Sequence, residues 1–151
     1  MDEKTYVINA EGYKLGRLAS HVAKILLKGH KVKIYNAEKA VITGSRSSIL
    51  ERYLMLRGRR QLSSHKKITV WYPTRAEAIM RSAVVRMLPR RKPKGREAAK
   101  RLEVFEGGAQ PTGEVIEFQD AKLGKPVSRS GKFIRYITLE ELSRLMRGGR
   151  Q

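Results

Sequence analysis

The chain has 151 residues, contains no cysteine, and carries 33 lysine and arginine residues against 14 aspartate and glutamate residues, a formal net charge of +19. This length predicts one compact domain with a hydrophobic core, and the lack of cysteine excludes disulfides, thiolate zinc sites and thiol nucleophiles. So large a positive charge predicts a polyanionic partner, of which nucleic acid is the first candidate.

The sequence contains no segment typical of a membrane protein or an exported one. Its longest unbroken apolar run, residues 53–56, is far shorter than the ~18 residues that a spanning helix needs. The chain opens on acidic residues, without the basic and then apolar regions of a signal peptide, so we expect it to stay in the cytosol. An anionic membrane surface would be a rival polyanion, but no basic helix with a bulky apolar face is present.

The first third of the chain predicts alternating strands and helices. A β run at residues 6–10 precedes apolar residues at helical spacing over 15–26, and Gly29 follows where a left-handed C-terminal cap is expected. Two further β runs are predicted at 31–36 and 40–43. This order favours an α/β layer fold with at least one parallel pair of strands.

Three capping-box patterns, in which Ser or Thr precedes Glu by three positions, predict where later helices begin. They are Ser48 with Glu51, Thr74 with Glu77, and Thr138 with Glu141. Pro89 is expected to end the second of these helices, and the third is predicted over 139–147. Three less distinct elements are also predicted: a strand at 68–72, a short helix at 97–102 and a strand at 115–118.

Most of the net positive charge falls in one stretch, residues 57–101, which we call the basic segment. It contains fifteen bases and two acids, a local net charge of +13. Most of these basic residues are arginine. Its planar guanidinium pairs with phosphate oxygens through two hydrogen bonds and stacks on exposed nucleobases. A charge run is often only a solvated surface, but self-repulsion of this size favours compensation by a bound polyanion.

The residues alone leave the kind of nucleic acid open. Trp71, Tyr72 and Phe105 lie in apolar patterns that favour core positions over base stacking, and no zinc finger, basic region with heptads or paired stacking aromatics is present. A DNA-compacting protein is therefore the alternative to an RNA-binding one.

Signals of catalysis are poor. The turn at 11–16 has two glycines at the wrong spacing for a dinucleotide fingerprint, and 124–132 misses the Walker pattern, with Phe133 in place of Ser or Thr. No set of nucleophile, base and orienting group is evident. We therefore expect that the protein is not an enzyme and has no cofactor or metal site. A nucleotide-using enzyme, with its ligand near residues 12–16, is the third hypothesis beside the RNA-binding and DNA-compacting proteins.

Two groups of motifs resemble one known family, the large-subunit ribosomal proteins numbered thirteen. The first group is LGRLASxVAKxLLxG at 15–29, VxIYNAE at 32–38 and ITG at 42–44. The second is RMLP at 86–89, Gly95, and AKRLxVFxG at 99–107. Together they cover about two thirds of the chain in the family's order, and the short link between residues 29 and 32 resembles archaeal members.

The resemblance implies a three-layer α/β/α domain around a mostly parallel four-stranded sheet, with basic loops and a C-terminal helical extension. It also implies a structural constituent of the large ribosomal subunit, which binds rRNA beside neighbouring ribosomal proteins and supports assembly. We accordingly divide the chain into an rRNA-binding domain at residues 1–108 and a C-terminal extension at 109–151.

The predicted rRNA surface joins the basic segment to cations beside the first two helices. Its residues are Lys14, Arg17, Arg46, Arg57, Arg59, Arg60, Lys66, Lys67, Arg81, Arg86, Arg90, Arg91, Lys92, Lys94, Gly95, Arg96 and Arg101. Gly44 and Gly95 are predicted to permit tight turns close to RNA. Residues 90–96 are expected to bury nothing and to be mobile in the free protein.

Overall fold

The structure of the chain is a computed structural model that describes residues 3–58, 72–124, 127 and 130–148. Some of the predictions lie outside these residues. They are the strand at 68–72, of which only Tyr72 is described, and the rRNA contacts at Arg59, Arg60, Lys66 and Lys67.

The described residues form six strands and five α-helices, numbered here in chain order. They are β1 Thr5–Asn9, α1 Leu15–Leu27, β2 Lys31–Tyr35, β3 Val41–Thr43, α2 Arg46–Gly58, α3 Ala76–Arg86, α4 Pro93–Lys100, β4 Leu102–Val104, β5 Glu114–Val115, β6 Tyr136–Thr138 and α5 Leu139–Gly148. Short 3-10 turns lie at Ala37–Lys39 and Gln119–Ala121.

Four of the strands form a parallel sheet in the order β4-β2-β1-β5. The connection from β1 through α1 to β2 is the crossover that joins adjacent parallel strands. β3 instead pairs antiparallel with β6, where Val41 lies opposite Thr138. The predicted α/β class, the four-stranded parallel sheet and the C-terminal helix are confirmed, while β3 belongs to a separate two-stranded ribbon.

One face of the sheet builds the core. Ile8, Val32 and Ile34 are fully buried in one cluster that also takes buried residues from all five helices. Because side chains alternate along a strand, Lys33 and Glu103 point to the other face, where their charged atoms lie 3.3 Å apart. The predicted apolar stripe of α1 is confirmed, and Gly29 follows that helix with φ +99°.

The residues after 108 contribute to the same core. Leu139, Leu142 and Met146 of α5 belong to the buried cluster, and β5 and β6 pair with strands from the first third of the chain. The Thr138 hydroxyl accepts a hydrogen bond of 3.3 Å from the Glu141 N–H, so the predicted start of α5 is confirmed.

The other two predicted helix starts are wrong. α2 begins earlier, at Arg46, and Ser48 is inside it, because the Ser45 hydroxyl accepts a hydrogen bond of 3.3 Å from the Ser48 N–H. α3 begins at Ala76 without any side-chain cap from its N-cap residue. The Glu77 N–H donates instead to the Glu106 carboxylate, at 3.2 Å, so a distant residue supplies the cap.

The prediction for residues 90–96 is also wrong in part. α4 begins at Pro93 rather than residue 97, in agreement with the preference of proline for the first helical turn, and Leu102 lies in β4. Gly95 is buried in α4, and a Cβ atom there would collide with the backbone carbonyl of Pro89. Gly95 therefore permits a close approach of the chain and not a tight turn, whereas Gly44 has φ +143° before α2.

Candidate nucleic-acid interface

Five cations lie together at the start of α4, and we call them the α4 basic cluster: Arg90, Arg91, Lys92, Lys94 and Arg96. All five side chains are exposed, and within the described part of the chain none of them forms an ion pair. The backbone beneath them is ordered by turns, with hydrogen bonds from the Arg90 N–H to Leu88 (2.8 Å) and from the Lys92 N–H to Pro89 (3.0 Å). The cluster therefore presents unpaired positive charge from two hydrogen-bonded turns and the start of α4.

A second basic feature is an open cavity of about 410 Å³ between the starts of α1 and α2, which we call the α1–α2 cleft. Its polar lining includes Lys14, Ser45, Ser48, Arg52, Tyr53, Tyr72 and Arg86. The Arg86 guanidinium carbon lies 4.6 Å from the centre of the Tyr72 ring, close enough for a cation–π contact. Three positive side chains and two phenols thus surround one cavity.

Tyr53 stays a neutral phenol in this cleft. Burial raises the pKa of Tyr53 above its ordinary value, and the positive charges of Arg52 and Arg86 lower it by less. The phenol therefore keeps its proton at neutral pH and can donate one hydrogen bond.

Two arginines of the predicted surface hold the fold together. Arg81 donates to the backbone carbonyl of Leu102 at 2.9 Å, and Arg101 donates to that of Leu26 at 3.2 Å. The second contact brings a positive charge to the last turn of α1, where it is favourable, at a carbonyl that also accepts from the Gly29 N–H at 3.1 Å. These side chains are engaged with the backbone and are less free than the α4 basic cluster to contact a ligand.

Three other predicted cations are exposed but have internal partners. Arg17 donates to the carbonyl of Asp120 at 3.1 Å, and Arg57 donates to that of Met146 at 3.4 Å. Arg46 lies 3.2 Å from the Glu141 carboxylate. Because an exposed ion pair contributes little to stability, Arg46 can exchange its carboxylate partner for a phosphate at small cost. The Arg57 hydrogen bond is partly buried, like those of Arg81 and Arg101.

Arg52 lines the α1–α2 cleft and was not among the predicted contacts. The sequence places it one helical turn after Ile49, which is buried, and one turn before Leu56. All three positions also lie within the helix predicted after Ser48, so this spacing is visible in the sequence. The sequence does not show that this face borders a cavity, because Lys14, Tyr72 and Arg86 of the same lining are distant in the chain.

The described histidine and aspartate residues have structural contacts. His21 Nε2 lies 2.9 Å from the Asp120 carboxylate, and the His21 ring stacks on Phe118 at 4.5 Å, which holds residues 118–120 against α1. The hydrogen bond from His21 lowers the pKa of Asp120.

Within residues 3–58, 72–124, 127 and 130–148, no group of three His, Asp or Glu is placed to hold a metal ion. No helix of these ranges has the length and apolar character needed to cross a membrane.

Comparisons with known proteins agree with the two motif groups. The family model described as Ribosomal protein L13 matches residues 3–111. The large ribosomal subunit protein uL13 of Methanococcus maripaludis is 40% identical over 140 residues, which cover 93% of this chain and 96% of the relative. Those of Sulfurisphaera tokodaii and Archaeoglobus fulgidus are 37% and 40% identical, over 98% and 93% of this chain and 98% and 86% of their own lengths. Since both the family match and these relatives span most of the sequence, the chain belongs to the ribosomal protein L13 family.

Proposed function

We propose that this chain is a structural constituent of the large ribosomal subunit, where it binds large-subunit rRNA through Arg and Lys contacts to phosphates and supports subunit assembly. Its relatives are named as proteins of that subunit, and membership of a ribosomal protein family agrees with a structural rather than a catalytic role. Its partners are then rRNA and neighbouring ribosomal proteins, and its location is the ribosome in the cytoplasm.

The observation that carries this proposal is the α4 basic cluster. Its five cations occur within seven residues that contain no acid, and the structure exposes all of them. Each phosphate that such a cation neutralises releases condensed counterions, which favours binding to a polyanion. Contacts to phosphates fix position and register without reading sequence, as a structural protein of the ribosome requires.

The proposed rRNA surface extends from this cluster to Lys14, Arg17, Arg46, Arg57 and Arg86. Arg81 and Arg101 are proposed to act by supporting the fold, since they hold backbone carbonyls. The proposed contacts at Arg59, Arg60, Lys66 and Lys67 rest on sequence alone. All of these residues fall within 1–108, which we propose as the rRNA-binding part, with 109–151 as an extension packed on it.

Replacement of Arg90, Arg91 and Lys92 by alanine tests this proposal. We expect weaker binding to large-subunit rRNA and a salt dependence whose slope is flatter by about 2–3 units, at roughly 0.7–0.9 per lost phosphate contact. The measurement is the binding constant over a series of salt concentrations.

A triple variant with the same change in charge is the control. Lys31, Lys33 and Lys39 each pair with a glutamate, so their replacement by alanine should change the slope much less. An unchanged slope in the Arg90, Arg91, Lys92 variant would show that this cluster does not contact phosphate. Equal affinity for duplex DNA, or failure of the protein to sediment with the large subunit in a sucrose gradient, would instead favour a DNA-compacting protein.

A further inference from the structure

We propose that the α1–α2 cleft receives one unpaired rRNA nucleotide, with its phosphate beside Lys14 and Arg52 and its base beside Tyr72 and Arg86. This inference rests on the proposed function, because it assumes that the protein binds rRNA. It assigns part of that contact to a cleft that contains no residue of the α4 basic cluster. It also adds Arg52, Tyr53 and Tyr72 to the residues that contact RNA.

The charge of the cleft selects an anion. Lys14, Arg52 and Arg86 line it, and no acid does so among the described residues. None of the three forms an ion pair within the described part of the chain, although Arg46 and Arg75 nearby both do so. A cavity whose lining concentrates one sign of charge attracts the opposite charge more strongly than a flat surface does.

The starts of two helices reinforce this charge. Lys14 is the N-cap residue of α1 and Gly16 lies in its first turn, while Ser45 directly precedes α2 and Ser48 lies in its first turn. All four line the cleft. Neither helix has an acidic residue in its first turn, and the N-cap residue of α1 makes no side-chain hydrogen bond. The positive dipole end of each helix therefore favours an oxygen anion such as a phosphate, and in α2 it does so although the Ser48 N–H already donates to the Ser45 hydroxyl.

The remaining lining suits a nucleobase. The Tyr72 ring and the Arg86 guanidinium lie together at 4.6 Å, and both present flat surfaces of the kind on which unstacked bases pack. Leu15, Ile49 and Leu56 provide apolar surface, and the Tyr53 phenol offers a hydrogen bond to a base edge. The volume of about 410 Å³ lies within the range of roughly 300–1,000 Å³ typical of ligand clefts.

Chemical probing of bases in the complex with large-subunit rRNA tests the proposal. Dimethyl sulfate and a carbodiimide together report the exposed Watson–Crick edges of all four bases. We expect one base that the wild-type protein protects to become reactive in both the Arg52→Ala and Tyr72→Ala variants, with the rest of the footprint retained. Each substitution should also weaken rRNA binding by about tenfold, which corresponds to about 1.4 kcal/mol.

Two further variants control the experiment. Tyr72→Phe keeps the ring and should keep the protection, which separates stacking from the loss of a hydroxyl. Arg75→Ala removes an exposed arginine that pairs with Glu77 at 3.9 Å and does not line the cleft, so it should leave the reactive base unchanged. Thermal unfolding of each free variant establishes that it folds before its footprint is compared.

The outcomes separate this inference from the function on which it rests. If the Arg52→Ala and Tyr72→Ala proteins fold and leave every base as protected as in the wild type, no nucleotide occupies the cleft, and an acidic side chain of a neighbouring protein becomes its expected occupant. The proposed function still stands in that case, provided that replacement of Arg90, Arg91 and Lys92 by alanine removes the protection of rRNA bases by the protein. If the wild-type protein protects no base and shows no salt-dependent rRNA binding, both proposals fail.

Discussion

At the scale of single residues, Gly95 determines how α4 approaches the end of α3. It is buried in the first turns of α4, against the carbonyl of Pro89. The Lys92 N–H donates to the same carbonyl at 3.0 Å, and the Gly95 N–H donates to Lys92 at 3.1 Å. A side chain at this position would displace the turn that carries the α4 basic cluster, so this glycine links packing to the proposed RNA contacts.

We predict that Gly95→Ala lowers the free energy of unfolding by about 1–3 kcal/mol, the usual cost of overpacking a buried site. Gly16→Ala is the matched control, because Gly16 is also in a helix but has open space where a methyl group would lie. It should stabilise the free protein by roughly 0.5–1 kcal/mol, since alanine is the better helix former. Urea unfolding measures both changes, and a Gly95→Ala protein as stable as the wild type would contradict the close packing of Gly95 on Pro89.

At the scale of elements, the helix starts show how local patterns compete with tertiary contacts. All three Ser/Thr to Glu patterns look alike in the sequence, yet only Thr138 caps the helix where predicted. α2 starts earlier because Ser45 supplies its cap, and α3 takes a cap from Glu106, which is distant in sequence. In this chain the pattern thus marks the helix start at α5, whereas at α2 and α3 another side-chain oxygen accepts from the first turn.

We predict that Thr138→Ala lowers the free energy of unfolding by about 1 kcal/mol, because it removes the hydroxyl that accepts from the Glu141 N–H. Thr74→Ala should have a much smaller effect, since α3 begins later and the Glu77 N–H donates to Glu106. Thermal unfolding of the two variants compares them directly. Equal destabilisation by both would mean that Thr74 contributes a cap that the structure does not show.

The same competition explains how much of the molecule the sequence could predict. α1, β1 and β2 were predicted because their periodicity is local and strong, as was the concentration of charge in residues 57–101. The partner of β3 depends on residues that are distant in sequence, which periodicity does not report. The start of α4 is a local feature, set by Pro93 in the first helical turn, but it lies in a charged stretch without an apolar period. In the candidate site, the sequence does not distinguish Arg81 from the other basic residues. Only its hydrogen bond to the Leu102 carbonyl shows that it supports the fold.

At the scale of the whole molecule, the net charge of +19 opposes folding of the free protein. The ion pairs among the described residues are surface pairs, such as Lys31 with Glu3 at 3.3 Å and Lys33 with Glu103 at 3.3 Å. Such pairs contribute about 0–1 kcal/mol each. Repulsion among the unpaired cations is therefore offset by the hydrophobic core and by ions in solution.

We predict that the free protein unfolds at higher temperature as sodium chloride is raised from about 10 mM to about 200 mM, because the Debye length shortens from about 30 Å to below about 10 Å. The Arg90, Arg91, Lys92 to alanine variant, which carries three fewer charges, should show a smaller rise over the same range. Calorimetric melting curves measure both. A melting temperature that falls with salt would mean that attractive pairs outweigh repulsion.

The pairing of β3 with β6 has a consequence for how the chain folds as it is synthesised. Synthesis from the N-terminus produces Val41 long before Thr138, its partner in the two-stranded ribbon. Until α5 is made, the core also lacks Leu139 and Leu142. Contacts so distant in sequence slow folding, and an unpaired strand is a site for aggregation. The nascent chain therefore passes through a stage that is highly cationic and incompletely packed, in which a polyanion or a chaperone would protect it until α5 is complete.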